Sequence, residues 1–379
     1  MAIINFLWDY ILPFLFILTV LVYVHEMGHY LIARRNCVRV EVFSIGFGPE
    51  IYGWTNAAGT RWKICAVPLG GYVKMFGEND APSEEEEETR EMTAEERAVS
   101  FHYKRLGQRS AIVAAGPIAN FLFAILILAG IFSILGTPRA LPAVAAVVAG
   151  SAADEAKLQR GDLITAINGK EIQWFEDLRD AISGRPNQST DLVIMREGAR
   201  VAITVTPRPV EAKDEAGQPI TIGRLGVSPD ASQVTYQRLN PLAATWRAIE
   251  QTVGLCGRIL DYLGQIISGS RGTEDLGGPL RIAQISGEMA QGGFVNLLSF
   301  MAMLSINLGL INLFPIPMLD GGHLIYYILE GIRGRPVGPR AQEYGFRFGL
   351  LLVLMLMVFA TWNDLVHLKV IEFFADLIT

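Results

Sequence analysis

Three polar residues near the start of the chain, His25, Glu26 and His29, have the types and spacing of a hydrolytic metal site. Histidines four positions apart lie on one face of a helix, where both imidazoles can reach one metal ion. Bound zinc lowers the pKa of water toward ~7 and polarises a scissile carbonyl, and Glu26 can take the proton of that water. The pattern therefore predicts a zinc-dependent hydrolase with Glu26 as its acid–base catalyst.

A tetrahedral site needs one more protein ligand, because its fourth position is kept for water. Asp320 is the best placed candidate. It follows Pro315 and Pro317, which break a helix and allow irregular backbone to aim a side chain inward. Coordination of zinc would also offset the cost of placing its carboxylate at membrane depth. The other candidates are His323, His102 and His367.

The composition indicates that much of the surface faces lipid. Of the 379 residues, 51% are hydrophobic and only 18% are charged, below the ~25% usual in soluble domains. His25 and His29 lie near the end of an apolar stretch, where ionisable residues are costly and normally functional. Four stretches predict membrane-spanning helices, the last of them short but extensible toward Gly345: Phe6–Ala33, Ser110–Leu135, Val295–Leu319 and Phe348–Trp362.

Charge predicts both the partners and the orientation of the chain. The net charge of −6 argues against nucleic-acid binding. Arginines and lysines cluster after the first apolar stretch, before the second, and between the third and fourth. Because such residues favour the cytoplasmic side, residues 34–109 and 330–347 are predicted to be cytoplasmic, and residues 137–293 and both termini to lie outside. The three candidate zinc ligands would then all lie toward the cytoplasmic face.

The loop between the first two apolar stretches contains three β-like pieces, at residues 40–45, 61–67 and 70–75. An acidic run at residues 84–88 is typical of a solvated segment.

Two further segments predict structure outside the apolar stretches. Residues 142–208 have the pattern of a small soluble α/β module, with strand and helix candidates in alternation. Residues 241–268 have apolar positions at near-helical spacing, which predicts an amphipathic helix on the membrane or on the protein.

Asn307 and Asn312 are polar residues inside the third apolar stretch. One interpretation is that they form hydrogen bonds between helices. The alternative is that one or both hold the backbone of a substrate or polarise its carbonyl. A helix can be cut in a bilayer only after it unwinds, and its freed polar groups then need partners.

Three motifs, in order along the chain, resemble the site-2 protease family of intramembrane zinc metalloproteases: His25–His29, Gly116–Asn120 and Leu319–Gly322. Within that family, the stretch Asn307–His323 and the loop Pro68–Val73 are similar to the bacterial regulator of sigma-E protease.

The resemblance implies one zinc ion per chain held by His25, His29 and Asp320, with Glu26 as the catalyst. It implies substrate contacts in two places, the asparagines of the third apolar stretch and the loop after residue 69. The residues concerned are Asn307, Asn312, Gly70, Gly71, Tyr72 and Val73.

Residues 142–208 resemble a PDZ domain through Gly150–Ala153 and Gly161–Gly169, present as a single copy rather than a tandem pair. Such a module could bind peptide tails, or it could act as a steric filter against bulky substrates.

The predicted fold is a polytopic α-helical membrane protein of about four transmembrane helices, with an inserted α/β PDZ-like periplasmic domain and a membrane-associated β-hairpin loop. The predicted boundaries are 1–36 and 108–136 for the first two helices, 37–107 for the β loop, 142–208 for the PDZ-like domain, 209–293 for a periplasmic linker carrying the amphipathic helix, and 294–329 and 345–369 for the last two helices.

The resemblance implies an endopeptidase in the inner membrane of a Gram-negative bacterium. Its expected partners are the lipid bilayer, single-span substrates such as anti-sigma factors or remnant signal peptides, and an upstream periplasmic protease that trims them. Two rival hypotheses are a membrane scaffold with an inert metal site, and a zincin-like protease that cuts loops in water. The first makes Glu26 dispensable, and the second has no need of Asp320 at membrane depth.

Overall fold

A computed structural model describes residues 6–77, 92–213, 219–230, 233–270, 272 and 277–367. The acidic run at residues 84–88 lies outside the described residues. The chain forms two compact units, one comprising Met1–Gly130 and Ala243–Thr379, the other Ile131–Leu242.

A π-helical segment, Leu7–Ile11, leads into the first α-helix. The α-helices of the described residues are α1 (Leu12–Arg35), α2 (Ala94–Val99), α3 (Leu106–Ile134), α4 (Ala152–Glu155), α5 (Phe175–Ser183), α6 (Pro241–Ile267), α7 (Pro279–Gln291), α8 (Phe294–Asn312), α9 (Asp320–Arg333) and α10 (Pro339–His367).

The strands are β1 (Val40–Thr55), β2 (Arg61–Met75), β3 (Thr137–Ala140), β4 (Val144–Val147), β5 (Leu163–Ile167), β6 (Lys170–Glu171), β7 (Thr190–Arg196), β8 (Ala199–Val205), β9 (Arg208–Lys213), β10 (Pro219–Arg224), β11 (Val227–Pro229) and β12 (Val234–Gln237).

Four helices of the described residues are long and apolar enough to cross a membrane, in agreement with the predicted number. They are Leu7–Arg35, Leu106–Ile134, Phe294–Asn312 and Pro339–Val366. The fourth begins earlier than the predicted residue 345, because Pro339 suits the first turn of a helix and the polar segment after it continues the same helix.

The third predicted helix, 294–329, is wrong as a single element. Helix α8 ends at Asn312 and α9 starts at Asp320. The residues between them form short turns, one of which is closed by a hydrogen bond of 2.7 Å from Ile316 N–H to Phe314 O. Pro315 and Pro317 cannot donate to a helical ladder, so the chain leaves the helix there and re-enters it at Asp320.

The β loop is larger than its three predicted pieces. Each of β1 and β2 bends, so that the pair forms four antiparallel arms in the order 71–75, 40–45, 61–65 and 50–55. Ile45 accordingly pairs with both Gly71 and Ile64, whereas Tyr52 pairs with Ile64 alone. The sequence does not predict the arm at 50–55, because glutamate and glycine, which are uncommon in strands, interrupt its apolar residues. The arm at 71–75 forms one edge of the sheet.

The unit Ile131–Leu242, called the α/β unit below, extends beyond the predicted residues 142–208. Strand β12 pairs with β3, so that Gln237 lies opposite Thr137, and β11 pairs with β4. Strands β11 and β12 therefore complete this unit, and the predicted periplasmic linker 209–293 is wrong over these strands. These pairings join segments about 80 to 100 residues apart, and sequence periodicity carries no sign of such distant partners.

Helix α6, predicted at 241–268, places its small residues Ala244, Ala248 and Thr252 inside and leaves Leu242 and Trp246 exposed. Helix α7 is capped from another helix, because the buried Asp364 of α10 accepts hydrogen bonds from the N–H groups of residues 278, 280 and 281.

A buried ion pair in the α/β unit joins the residue before β5 to the end of β7. The Asp162 carboxylate, 1% exposed, accepts two hydrogen bonds of 2.7 Å from the Arg196 guanidinium and one of 2.8 Å from Gln159 N–H. Burial works to raise the pKa of Asp162, but these donors outweigh it and hold that pKa below its ordinary value.

The Asp162→Asn variant should destabilise this unit by about 1–3 kcal/mol, because neutral Asn cannot accept from both guanidinium donors as a carboxylate does. Amide hydrogen exchange of β5 and β7 in the full-length protein measures the effect. A folded-state pKa below the unfolded ~3.9 makes the contribution complete near pH 6 and progressively lost as pH falls below about 4.

The control is Asp180→Asn, whose partner Arg179 and whose own side chain are both exposed. Equal exchange in both variants, or protection of β5 and β7 that does not change from pH 6 to pH 3, would contradict the assignment.

Candidate metal centre

Three side chains from two distant parts of the chain converge at one point. His25 and His29 lie one turn apart on α1, and Asp320 is the first residue of α9. The Nε2 atoms of the two histidines are 3.2 Å apart. Asp320 Oδ2 lies 3.1 Å from His25 Nε2 and 3.6 Å from His29 Nε2. Among the described residues, these three form the group able to hold a metal ion.

The separations suit zinc. Bonds of about 2.0–2.1 Å at the tetrahedral angle place neighbouring ligand atoms roughly 3.3–3.4 Å apart. In the described part of the chain, Asp320 Oδ2 is buried and has no hydrogen-bond partner, a state that costs free energy unless a cation satisfies it. Two imidazole nitrogens and a carboxylate oxygen are also the donor types that zinc takes in hydrolytic sites.

The Nδ1 atom of each imidazole, on the side of the ring away from Asp320, also has a hydrogen-bond partner. His29 Nδ1 lies 2.9 Å from the Ile112 carbonyl oxygen, and His25 Nδ1 lies 3.1 Å from the side-chain amide of Asn120. The Ile112 carbonyl can only accept, so His29 Nδ1 carries a proton, and a neutral His29 then presents a bare Nε2 to the other ligands.

Glycines on both helices make the room that the imidazoles need. A Cβ at Gly116 of α3 would overlap His29 Nε2 and come within 2.8 Å of His25 Cε1. A Cβ at Gly28 of α1 would lie 2.8 Å from Ala119 Cβ. Helices α1 and α3 therefore approach closely through small residues, as membrane helices commonly do.

Helix α9 is anchored at its other end. Arg109 near the start of α3 donates a hydrogen bond of 2.5 Å to Glu330, and its guanidinium lies 5.0 Å from the Tyr327 ring centre. Both charged side chains are largely buried, at 11% and 17% exposure. This pair connects the helix that carries Asp320 to the helix that supports both histidines.

The β sheet reaches the same place. A Cβ at Gly71 would lie 2.8 Å from Val22 Cγ1 and 3.3 Å from Glu26 Cγ, so the edge arm 71–75 passes directly over the predicted catalyst. Gly70 has a φ of +131° and faces the Phe47 ring, whereas Tyr72 stacks on that ring with centroids 6.1 Å apart.

The other predicted residues lie outside this convergence. Asn307 and Asn312 are half-buried on α8, and within the described residues neither side chain makes a hydrogen bond. His323 follows Asp320 on α9 but is not part of the metal-capable group. His102 lies edge-on to the Tyr103 ring, and the side chain of His367 is outside the described residues.

The sequence analysis predicts no role for Gly116 or Asn120, although both belong to the motif Gly116–Asn120 of α3. Their separation of four residues places them on the same helix face, and this spacing could have indicated that they act together. The contact of Ile112 is made by its backbone carbonyl, so the identity of its side chain could not have predicted it.

Comparison with known proteins gives a consistent result. The profile of Peptidase family M50 matches residues 13–356. A protein of Rhizobium meliloti that bears the name of a zinc metalloprotease is 48% identical over 94% of this chain and 96% of its own length. One of Agrobacterium fabrum, similarly named, is 44% identical over 96% of this chain and 98% of its own.

The metalloprotease MmpA of Caulobacter vibrioides is 35% identical over 96% of this chain and 97% of its own length. Among solved structures, the PDZ domain of an SdrC-like protein from Listeria monocytogenes is 20% identical, covers 23% of this chain and 84% of that chain, and has a TM-score of 0.18.

The family profile spans most of the chain, and these relatives align over nearly their whole length. The chain therefore belongs to the M50, or site-2 protease, family and is a zinc metalloprotease, and four helices of its described residues are long and apolar enough to span a membrane.

Proposed function

We propose that this protease cuts transmembrane segments of single-span membrane proteins within the bilayer. The observation that carries the proposal is the position of the metal centre. His25 and His29 lie on a helix long and apolar enough to span a membrane, and Asp320 begins α9 after the short turns that follow a second such helix, α8. A hydrolytic site so placed acts on peptide bonds at membrane depth.

In the proposed mechanism, His25, His29 and Asp320 would hold the zinc, which when bound would polarise the scissile carbonyl and lower the pKa of a water molecule. Glu26 takes a proton from the attacking water and passes it to the departing amine nitrogen. The apolar helices around the site limit the entry of bulk water and so strengthen each of these interactions.

The edge arm 71–75 is the proposed substrate platform. Backbone N–H and C=O groups at a sheet edge can pair with an extended peptide, which supplies the partners that an unwound helix loses. The close approach of Gly71 to Glu26 places this edge beside the catalyst. Gly70, Tyr72 and Val73 belong to the same proposed platform. The amides of Asn307 and Asn312, which are not used within the described fold, are assigned to the substrate as well.

We place the chain in the inner membrane of a Gram-negative bacterium. The relatives from Rhizobium, Agrobacterium and Caulobacter, all Gram-negative genera, support this placement. The basic residues support a cytoplasmic location for residues 34–109 and 330–347, and a periplasmic location for the α/β unit. Substrates would be anti-sigma-factor-like proteins or remnant signal peptides, already trimmed by a periplasmic protease.

The His29→Ala and Asp320→Ala variants should each lose the one equivalent of zinc that the wild-type protein contains, because two remaining ligands hold the ion far more weakly. Elemental analysis of purified protein measures this. His323→Ala is the matched control and should keep its zinc. Full zinc in the Asp320→Ala protein would remove that residue from the ligand set.

The Glu26→Gln variant should keep its zinc and lose activity by at least about 10²-fold, because glutamine has no carboxylate to accept the proton. Single-span proteins should then accumulate uncut in cells that carry it, as quantitative proteomics of the membrane fraction would show. Unchanged abundance of every single-span protein would contradict the proposal, and so would accumulation of loop-containing multispan proteins alone.

Cysteine labelling tests the orientation. In a background without Cys37, Cys65 and Cys256, an Asn187→Cys protein in intact spheroplasts should react with a membrane-impermeant maleimide. The matched Ala57→Cys protein, with its probe in the turn between β1 and β2, should react only after permeabilisation. The opposite pattern would reverse the assignment.

The α/β unit, which contains the PDZ-like residues 142–208, supplies no residue to the metal centre. Its proposed function is to exclude substrates whose periplasmic domains are intact. A second function is favoured by a cavity of about 700 Å³ in this unit, which has Leu178, Ile182 and Leu225 in its wall and Arg179 and Arg208 among its lining residues. That cavity is suited to capturing the tail of a trimmed substrate.

Removal of residues 137–237 separates these two functions. The ends of this segment pair with each other as Thr137 and Gln237, so its removal leaves a short gap to close. If exclusion dominates, the shortened protein should cut untrimmed substrates that the wild-type protein spares. Slower cutting of trimmed substrates instead would indicate capture. Loss of cutting on both, with zinc retained, would contradict the exclusion proposal.

A further inference from the structure

We propose that Asn120 is a positioning residue for zinc binding: its Oδ1 accepts a hydrogen bond from His25 Nδ1–H and so directs His25 Nε2 at the metal. The proposal rests on His25 being a zinc ligand. The motivating contact is the separation of 3.1 Å between the Asn120 side-chain amide and His25 Nδ1.

The chemistry of a ligating histidine decides which amide atom faces it. A neutral imidazole has one N–H, and a nitrogen that binds metal has none. Ligation through Nε2 therefore places the proton on His25 Nδ1, where it needs an acceptor. If the Asn120 NH₂ group faced this N–H, two hydrogen-bond donors would lie opposite each other without an acceptor.

The placement of the amide atoms supports the reversed orientation. Nδ2 is the amide atom placed near His25, and Asn120 Oδ1 is buried without a partner among the described residues. The two ends of an amide have the same shape, so their assignment follows from the hydrogen bonds. Turning the amide gives Oδ1 the Nδ1–H donor and relieves the unsatisfied oxygen.

The backbone of Asn120 is held independently of its side chain. Its carbonyl oxygen accepts a hydrogen bond of 2.8 Å from Ser305 Oγ on α8, and the residue is fully buried. A Cβ at Gly309 of α8 would lie 3.1 Å from the Pro117 carbonyl oxygen, so α3 and α8 are in close contact here. Asn120 thus stands at a junction of three helices.

The two histidines differ in a way that an experiment can use. His29 is oriented by the backbone carbonyl of Ile112, which no substitution removes, whereas His25 is oriented by a side chain. Loss of the acceptor at position 120 should therefore weaken the hold on one imidazole and leave the other in place.

The test is the zinc affinity of the purified full-length protein, measured by competition with a chelator. Asn120→Leu has a similar volume without an acceptor and should lower the affinity by about 10–100-fold. Asn120→Asp keeps a carboxylate oxygen toward Nδ1–H and should stay within a few-fold of wild type. X-ray absorption of the zinc-loaded proteins should show fewer imidazole ligands in the Leu variant than in the Asp variant.

Two controls separate this role from general packing. Ser305→Ala removes the support of the Asn120 carbonyl but keeps the acceptor, and should change zinc affinity less than Asn120→Leu. Wild-type affinity in Asn120→Leu would overturn the proposal, and so would equal losses in the Leu and Asp variants. Retention of zinc by His25→Ala would instead show that the ligand set itself is wrong.

Discussion

The burial of an acidic side chain beside two imidazoles, inside helices that are otherwise apolar, is the constraint on which the rest of the structure depends. Asp320 Oδ2 has no hydrogen-bond donor among the described residues and lies within 3.6 Å of both Nε2 atoms. An uncompensated charge in such surroundings costs several kcal/mol, and a divalent cation removes that cost. Zinc held by these three side chains would therefore stabilise the fold of this region as well as supply the chemistry.

The surrounding sequence can be understood as the means of bringing these ligands together. Prolines stop α8 so that a new helix can start with Asp320, and the Arg109–Glu330 pair connects that helix to α3. Gly116 leaves space for both imidazoles, while Gly71 lets the edge of the β sheet pass over Glu26. The prolines interrupt a helix and the glycines remove a side chain, and each feature helps to bring Glu26 and the three metal-capable side chains together.

Much of this was predictable from the sequence. Four spanning helices follow from hydropathy, and the convergence of His25 and His29 with Asp320 follows from spacing, helix-breaking prolines and charge distribution. What could not be predicted depends on partners distant in the chain. The bent arms of β1 and β2, the completion of the α/β unit by β11 and β12, and the carbonyl of Ile112 behind His29 are set by tertiary contacts, and no local pattern encodes them.

The central claim is that cutting occurs within the bilayer, and the position of the cut tests it most directly. The full-length protein would be reconstituted in liposomes with a single-span substrate that carries cleavable loops on both sides of its span, and the products would be mapped by mass spectrometry. The account predicts new termini inside the apolar span, absent with the Glu26→Gln protein and dependent on zinc. Termini confined to the loops would contradict it.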